Sequence, residues 1–171
     1  MKRLLSFFYA LSVLLSVSSC DNLTLPGVIV DWAPVEIIIK AYDSAGNSII
    51  SEDMPGMSLV FNGEEYTVLP WDYQPKVETK AYMPHMFGLR AKPETDGQGT
   101  VSSYILIFGE IDGAADMDED IILNWPDGSR DTIHYHCSNH REWPTVNCTR
   151  KWKLNGKKHD GSTFVFKGKS I

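Results

Sequence analysis

The densest set of chemically capable side chains is His134-Tyr135-His136-Cys137-Ser138-Asn139-His140, with Cys148 following a short way on. Two chemistries suit those residue types. Zinc needs three or four imidazole or thiolate ligands converging at about 2.0–2.3 Å. Strand alternation opposes that, because His134 and His136 then fall on the face opposite Cys137. A disulfide needs only that both sulfurs share a face. Cys137 shares one with Ile133 and Tyr135, and Cys148 shares one with Val146, Trp152 and Leu154, so both are expected to point inward. An isolated pair in an oxidising compartment is ordinarily bonded. The expectation is a Cys137–Cys148 disulfide and no metal site. Nucleophilic catalysis would need one of these thiols free and activated, and neither is assigned a catalytic role.

Asp116-Met117-Asp118-Glu119-Asp120 is the densest acidic run. Calcium takes six to eight oxygen ligands, but the run lacks the glycine and terminal glutamate spacing of an EF-hand loop. It follows Gly113-Ala114-Ala115 and reads as a solvated loop. No glycine-rich phosphate cradle, His-Glu-x-x-His helix or Gly-x-Ser-x-Gly elbow is present. Among the tryptophans, Trp125 and Trp152 follow inward patterns, while Trp71 and Trp143 sit in proline-marked loops. Loop aromatics can stack on sugar faces or anchor a protein contact. Trp71 and Trp143 are therefore the candidate ligand-binding residues. The chain reads as a non-enzymatic binding or structural module with no catalytic residue and no cofactor. The rival is a hydrolase using loop carboxylates or histidines such as His85, His134 and His136. A deep pocket gathering two or more of His85, Asp112, Asp116 and Glu142 would mark that rival.

The elements that must position these groups are strands. In Val35-Glu36-Ile37-Ile38-Ile39-Lys40-Ala41-Tyr42, Val35, Ile37, Ile39 and Ala41 fall on one face, with Glu36 and Lys40 on the other. Phe61-Asn62-Gly63-Glu64 places Asn-Gly between apolar runs, a strong hairpin signal. Tyr104 to Phe108 is apolar on both faces, as in a strand covered on both sides. Ile121, Leu123 and Trp125 alternate into the turn Pro126-Asp127-Gly128-Ser129 and a return strand through Ile133 and Tyr135. Asn155-Gly156 and Asp160-Gly161 break up the end of the chain, where Phe164 and Phe166 supply a last inward face. No segment after the leader keeps a 3.6-residue apolar period over three turns. The expected fold is all-β, an antiparallel β-sandwich of immunoglobulin-like kind, with a closed barrel as the alternative.

The first twenty residues have a different character. Lys2 and Arg3 precede an apolar run from Leu4 to Val17, and Val17-Ser18-Ser19 places small residues directly before Cys20. Such a run is too short to cross a hydrocarbon core about 30 Å thick, and its basic start and small-residue exit are those of a processed signal. The segment resembles a lipobox. That resemblance implies cleavage before Cys20 and acyl chains on its sulfur and new N-terminus, each buried methylene contributing about 0.8 kcal/mol of membrane affinity. The expected organisation is a signal peptide at 1–19, a lipidated tether at 20–28 and one domain at 29–171. The expected location is the cell envelope, lipid-anchored and on the outer membrane, at its periplasmic or surface face.

Charge is segregated along the chain. Cys20 to Thr149 carries 7 Lys/Arg against 21 Asp/Glu, a net of −14, whereas Arg150 to Ile171 carries 7 Lys/Arg against Asp160 alone, a net of +6. The basic end reads as a terminal hairpin lying beside acidic strands. With an acidic body and an extracytoplasmic location, nucleic acid is not an expected partner. The expected partners are a membrane, through the lipid, and a glycan or envelope protein.

Several longer stretches resemble a group of small lipoproteins of bacteroidete-type bacteria. They are Asp31-Trp32-Ala33-Pro34-Val35, Ala81-Tyr82-Met83-Pro84-His85-Met86-Phe87-Gly88-Leu89, Ile107-Phe108-Gly109-Glu110-Ile111-Asp112-Gly113 and Leu154-Asn155-Gly156-Lys157. The resemblance covers nearly the whole mature chain and carries over no catalytic residues. Asn124-Trp125-Pro126-Asp127-Gly128-Ser129 is similar to the Trp-x-Asp-Gly-Ser turn of PKD-type immunoglobulin-like modules, with Pro126 in place of the usual glycine. Asp43-Ser44-Ala45 and Asp131-Thr132-Ile133 resemble the O-glycosylation triplet of such bacteria.

Overall fold

Alternating apolar residues become strands here, and the Asn-Gly pairs become their turns. The computed structural model describes residues 35–74, 87–111, 113, 115–142 and 145–170. The signal segment, Cys20 and the tether, Trp143, His85 and Asp112 lie outside the described residues. Ten strands are present and no helix among the described residues: β1 (Val35–Tyr42), β2 (Ser58–Phe61), β3 (Glu64–Pro70), β4 (Leu89–Thr95), β5 (Val101–Ile111), β6 (Met117–Asn124), β7 (Arg130–Glu142), β8 (Thr145–Leu154), β9 (Lys157–His159) and β10 (Thr163–Lys167). At Asn62-Gly63 and Asn155-Gly156 both residues hold positive φ, at 51° and 80° and at 50° and 78°. That is the geometry of a two-residue hairpin turn, which asparagine and glycine tolerate and branched residues do not.

The strands form one sheet in the order β10-β1-β5-β4-β3-β2-β6-β7-β8-β9. It is a mixed sheet, which corrects the expectation of a purely antiparallel one. β1 pairs in parallel with β10, from Ile38↔Thr163 to Tyr42↔Lys167, and β3 pairs in parallel with β4 through Val68↔Leu89 and Pro70↔Ala91. Side-chain alternation has the same period in both kinds of pairing, so it carries no sign of strand direction. β3 divides its length. Glu64 to Thr67 pair with β2, and Val68 to Pro70 pair with β4. This change of partner lets the sheet turn.

The sheet curls so that its ends meet across the core. Phe164 of β10 stacks on His159 of β9 with ring centroids 4.4 Å apart, and meets Trp152 of β8 edge-on at 5.7 Å. Trp125 packs edge-on against Phe166 at 5.0 Å, and Phe61 of β2 against Phe108 of β5 at 5.7 Å. Ile37, Ile39, Leu59, Leu106, Ile121, Leu123 and Ile133 complete the enclosed face, all fully buried. Each such side chain removed from water contributes about 1.5–3 kcal/mol.

β5 is buried on both faces, as its two-sided apolar pattern predicts. Ile105, Leu106, Ile107 and Phe108 are all buried, yet Ile105 and Ile107 lie outside the main core cluster. They belong to the opposite face of the sheet, in register with Lys92 and Arg90 of β4.

Candidate functional site

Arg90 is the unexpected resident of that second face. It sits in Gly88-Leu89-Arg90-Ala91, between apolar neighbours, and is fully buried. Its guanidinium donates to the Phe87 carbonyl at 2.5 Å, to the Pro70 carbonyl at 3.1 Å and to the Tyr73 carbonyl at 2.8 Å. It also lies 5.1 Å from the Tyr73 ring centroid. A guanidinium offers five donors in a fixed plane, and here that plane gathers the carbonyls of two chain segments.

The loop held this way carries Trp71. Lys92 Nζ lies 5.3 Å from the centroid of the Trp71 ring, which is half-buried. Tyr73 is 42 % exposed and Phe87 44 % exposed, large values for aromatic residues. Gly88 fixes the approach to β4. It has φ +72°, its N–H donates to Glu110 Oε1 at 2.6 Å, and an added Cβ would lie 3.2 Å from Leu69 Cδ1. Glu110 also accepts from the Tyr66 hydroxyl at 3.1 Å. The site therefore presents aromatic surface on a backbone held by one buried cation. Of the two tryptophans expected to bind ligand, Trp71 is placed here and Trp143 lies outside the described residues.

The second constellation is the β7–β8 cysteine pair. Register sets Cys137 opposite Arg150 and Cys148 opposite Asn139, so the cysteines are diagonal neighbours on one face. Their sulfurs stand 3.6 Å apart and are not bonded. Cys137 is buried and Cys148 half-buried, the inward orientation that alternation predicts. Burial, and then the hydrogen bond with Cys137, push the Cys148 thiol above its ordinary range against the opposing pull of Arg150. The Tyr135 hydroxyl is buried beside them and, among the described residues, has no hydrogen-bond partner. Burial first, and Cys137 second, push its phenol well above the usual value.

On the outer face of β6 and β7, carboxylates and imidazoles interleave. The acidic run is not the solvated loop its composition predicts, because Met117 to Asp120 are strand residues in register with Cys137 to His134. Each outward carboxylate therefore faces a histidine. His134 Nδ1 lies 2.9 Å from Asp120 Oδ1 and its Nε2 3.1 Å from Asp118 Oδ1, while His136 Nδ1 lies 3.4 Å from Asp118 Oδ1. Lys153 and Lys151 of β8 follow in the same rows. Asp118, Asp120 and His134 border an open groove of about 470 Å³ floored by Val60 and Ile122. Among the described residues no three His, Cys, Asp or Glu side chains are grouped to hold a metal ion.

Of the residues named for the hydrolase rival, His134 and His136 meet at Asp118, and the Glu142 side chain lies outside the described residues. Asp116 is exposed and accepts from the Asn139 N–H at 2.6 Å, while His85 and Asp112 lie outside the described residues. The triplet Asp43-Ser44-Ala45 occupies a turn with Ser44 and Ala45 exposed, whereas Asp131 of the other triplet is buried. Sequence reasoning missed Arg90, whose only signal was a cation set within an apolar strand. Comparison of the chain with protein-family models, with curated proteins and with solved structures finds no match.

Proposed function

We propose that this chain is a lipid-anchored lipoprotein of the cell envelope whose domain is a non-enzymatic binding module, an immunoglobulin-like β-sandwich. The partner is a glycan or an envelope protein, received at the loop that carries Trp71. One observation carries this reading. Arg90, fully buried, donates through Nε to the Phe87 carbonyl and through Nη1 to the carbonyls of Pro70 and Tyr73. A buried cation used to fix a loop bearing exposed aromatics favours binding over packing, because rigid aromatic surface loses little entropy on capture. The acyl anchor at Cys20 rests on the lipobox-like leader, and placement at the outer membrane rests on the same resemblance.

The test is a glycan array and envelope-protein capture with the mature domain, followed by Trp71→Ala and Tyr73→Ala. Binding that falls at least about tenfold in either variant, with an unchanged melting curve, supports the reading. Binding indifferent to both substitutions overturns the assignment to this loop. For the anchor, Cys20→Ala should release the protein from the membrane fraction, and its persistence there would place the anchor elsewhere.

The hydrolase reading keeps one observation, the groove beside His134 and its two carboxylates. A carboxylate–imidazole pair can draw a proton from water. The groove is open and its lining includes no hydroxyl or thiol nucleophile. Turnover of a substrate panel that disappears in His134→Gln would favour this second reading.

A further inference from the structure

We infer that Cys137 and Cys148 form a thiol–disulfide exchange site, in which Cys148 receives an incoming disulfide and Cys137 completes an intrachain bond between β7 and β8. Access sets the order. Cys137 is 1 % exposed, so an external disulfide reaches it only when the fold opens locally, whereas Cys148 is half-buried at the rim of the same face. Proximity sets the second step. The sulfurs are already 3.6 Å apart on a diagonal of the ladder, and a disulfide at about 2.05 Å needs them to close by roughly 1.5 Å. Side-chain rotation with a small shift of two paired strands supplies that distance.

The surroundings fit a receiving thiol that is controlled rather than indiscriminate. Arg150 is opposite Cys137 in register and favours a thiolate at Cys148, while burial and the Cys137 contact hold the proton on. Tyr135, a further titratable group beside the pair, lies deeper and is fully buried. Exchange at Cys148 should therefore accelerate as pH rises, since only the thiolate attacks.

The chemistry balances with one disulfide as oxidant. The Cys148 thiolate attacks a sulfur of R–S–S–R, that bond breaks, and one RS⁻ leaves and takes a proton from solvent. Cys137 then loses its proton to solvent and attacks the Cys148 sulfur of the mixed disulfide, and the second RS⁻ leaves. Two protein thiols are oxidised to one disulfide, and one external disulfide is reduced to two thiols.

The experiment uses the full chain, reduced, desalted and exposed to oxidised glutathione in native buffer, with alkylation of remaining thiols and peptide mapping that reads Cys20 separately. In the wild-type chain Cys137 and Cys148 should lose alkylation together and retain no glutathione. Cys137→Ser should hold one glutathione on Cys148, and Cys148→Ser should react at Cys137 about tenfold more slowly than Cys148 does. A time course on the wild type serves where a variant fails to fold: transient glutathione on Cys148 supports the order, and transient glutathione on Cys137 overturns it. Glutathione kept on Cys148 in the wild type, or no reaction short of unfolding, also overturns the inference.

Discussion

Lys169 Nζ lies 2.7 Å from Asp131 Oδ2, and this contact fastens the tail beyond β10 to the start of β7. The pair is largely enclosed, with side-chain exposures of 14 % and 11 %. Asp131 accepts two further bonds, from Trp125 Nε1 at 2.7 Å and from Asn155 Nδ2 at 2.7 Å. Lys169 also donates to Ser129 Oγ at 2.9 Å and sits 4.9 Å from the Trp125 ring centroid. A carboxylate with three donors, one of them a cation, has its desolvation compensated. The basic end of the chain thus folds back onto an acidic body, as the charge segregation suggests.

Asp131→Asn should destabilise the domain by about 2–4 kcal/mol, because Lys169 is left enclosed without its counter-charge and an amide cannot accept all three bonds. Lys169→Met should cost less, about 1–2 kcal/mol, since Trp125 and Asn155 still satisfy the carboxylate. Urea denaturation of both variants measures the difference. Equal losses would show that the pair contributes little beyond packing.

The same carboxylate sets an acid limit on stability. Burial raises the pKa of Asp131, but bonds from Lys169, Asn155 and Trp125 outweigh it and leave the group below its ordinary value. The Lys40 bond and then Ser103 lower Glu94 likewise. A carboxyl lowered in the folded state binds its proton first in the unfolded chain. Its stabilisation is therefore complete above the unfolded value of about 4 and is lost as pH falls through the folded one. The urea midpoint should be flat near neutrality and fall below about pH 4, with a shallower fall in Asp131→Asn. A variant falling as steeply as the wild type would assign the acid limit to other groups.

Much of this could be read from residues alone, and the division has a physical cause. Turn chemistry is local, so Asn62-Gly63 and Asn155-Gly156 declare themselves, as does the inward alternation of Ile133, Tyr135 and Cys137. Pairing direction is not local. Nothing in Ile38 or Thr163 reveals that their strands run parallel, because that information lies in ladder bonds between distant segments. Composition misled at Asp116 to Asp120, where exposed carboxylates suit a loop and an outer strand face equally. Trp71 could be marked as a loop aromatic, but the convergence of three carbonyls on Arg90 depends on the fold already being formed.

Removing that convergence should expose its purpose. Arg90→Met keeps length and apolar volume but leaves the carbonyls of Phe87, Pro70 and Tyr73 without the guanidinium. The expected cost is on the order of 3 kcal/mol, from partly buried acceptors stripped of a charged donor. Hydrogen exchange at 71–73 should rise more than in the β6–β7 ladder, and affinity for any ligand held at Trp71 should fall with it. Uniform loosening of every strand would instead make Arg90 a core residue with no special hold on this loop.

Oxidation of the cysteine pair gives a stability readout without any substitution. Bonding Cys137 to Cys148 closes a short loop, 11 residues apart, and chain-entropy arguments set the gain at up to about 2.8 kcal/mol. The diagonal register subtracts from this, because the ladder must shift to bring the sulfurs to bonding distance. The oxidised chain should therefore melt higher than the same chain kept in reductant, by less than the entropic limit. Strain confined to the β7–β8 hairpin would appear as faster hydrogen exchange near Asn139 and Thr149 on oxidation, alongside the raised melting temperature. A lower melting temperature on oxidation would mean that strain exceeds the lost entropy, and that the unbonded thiols are the state this hairpin is built to keep.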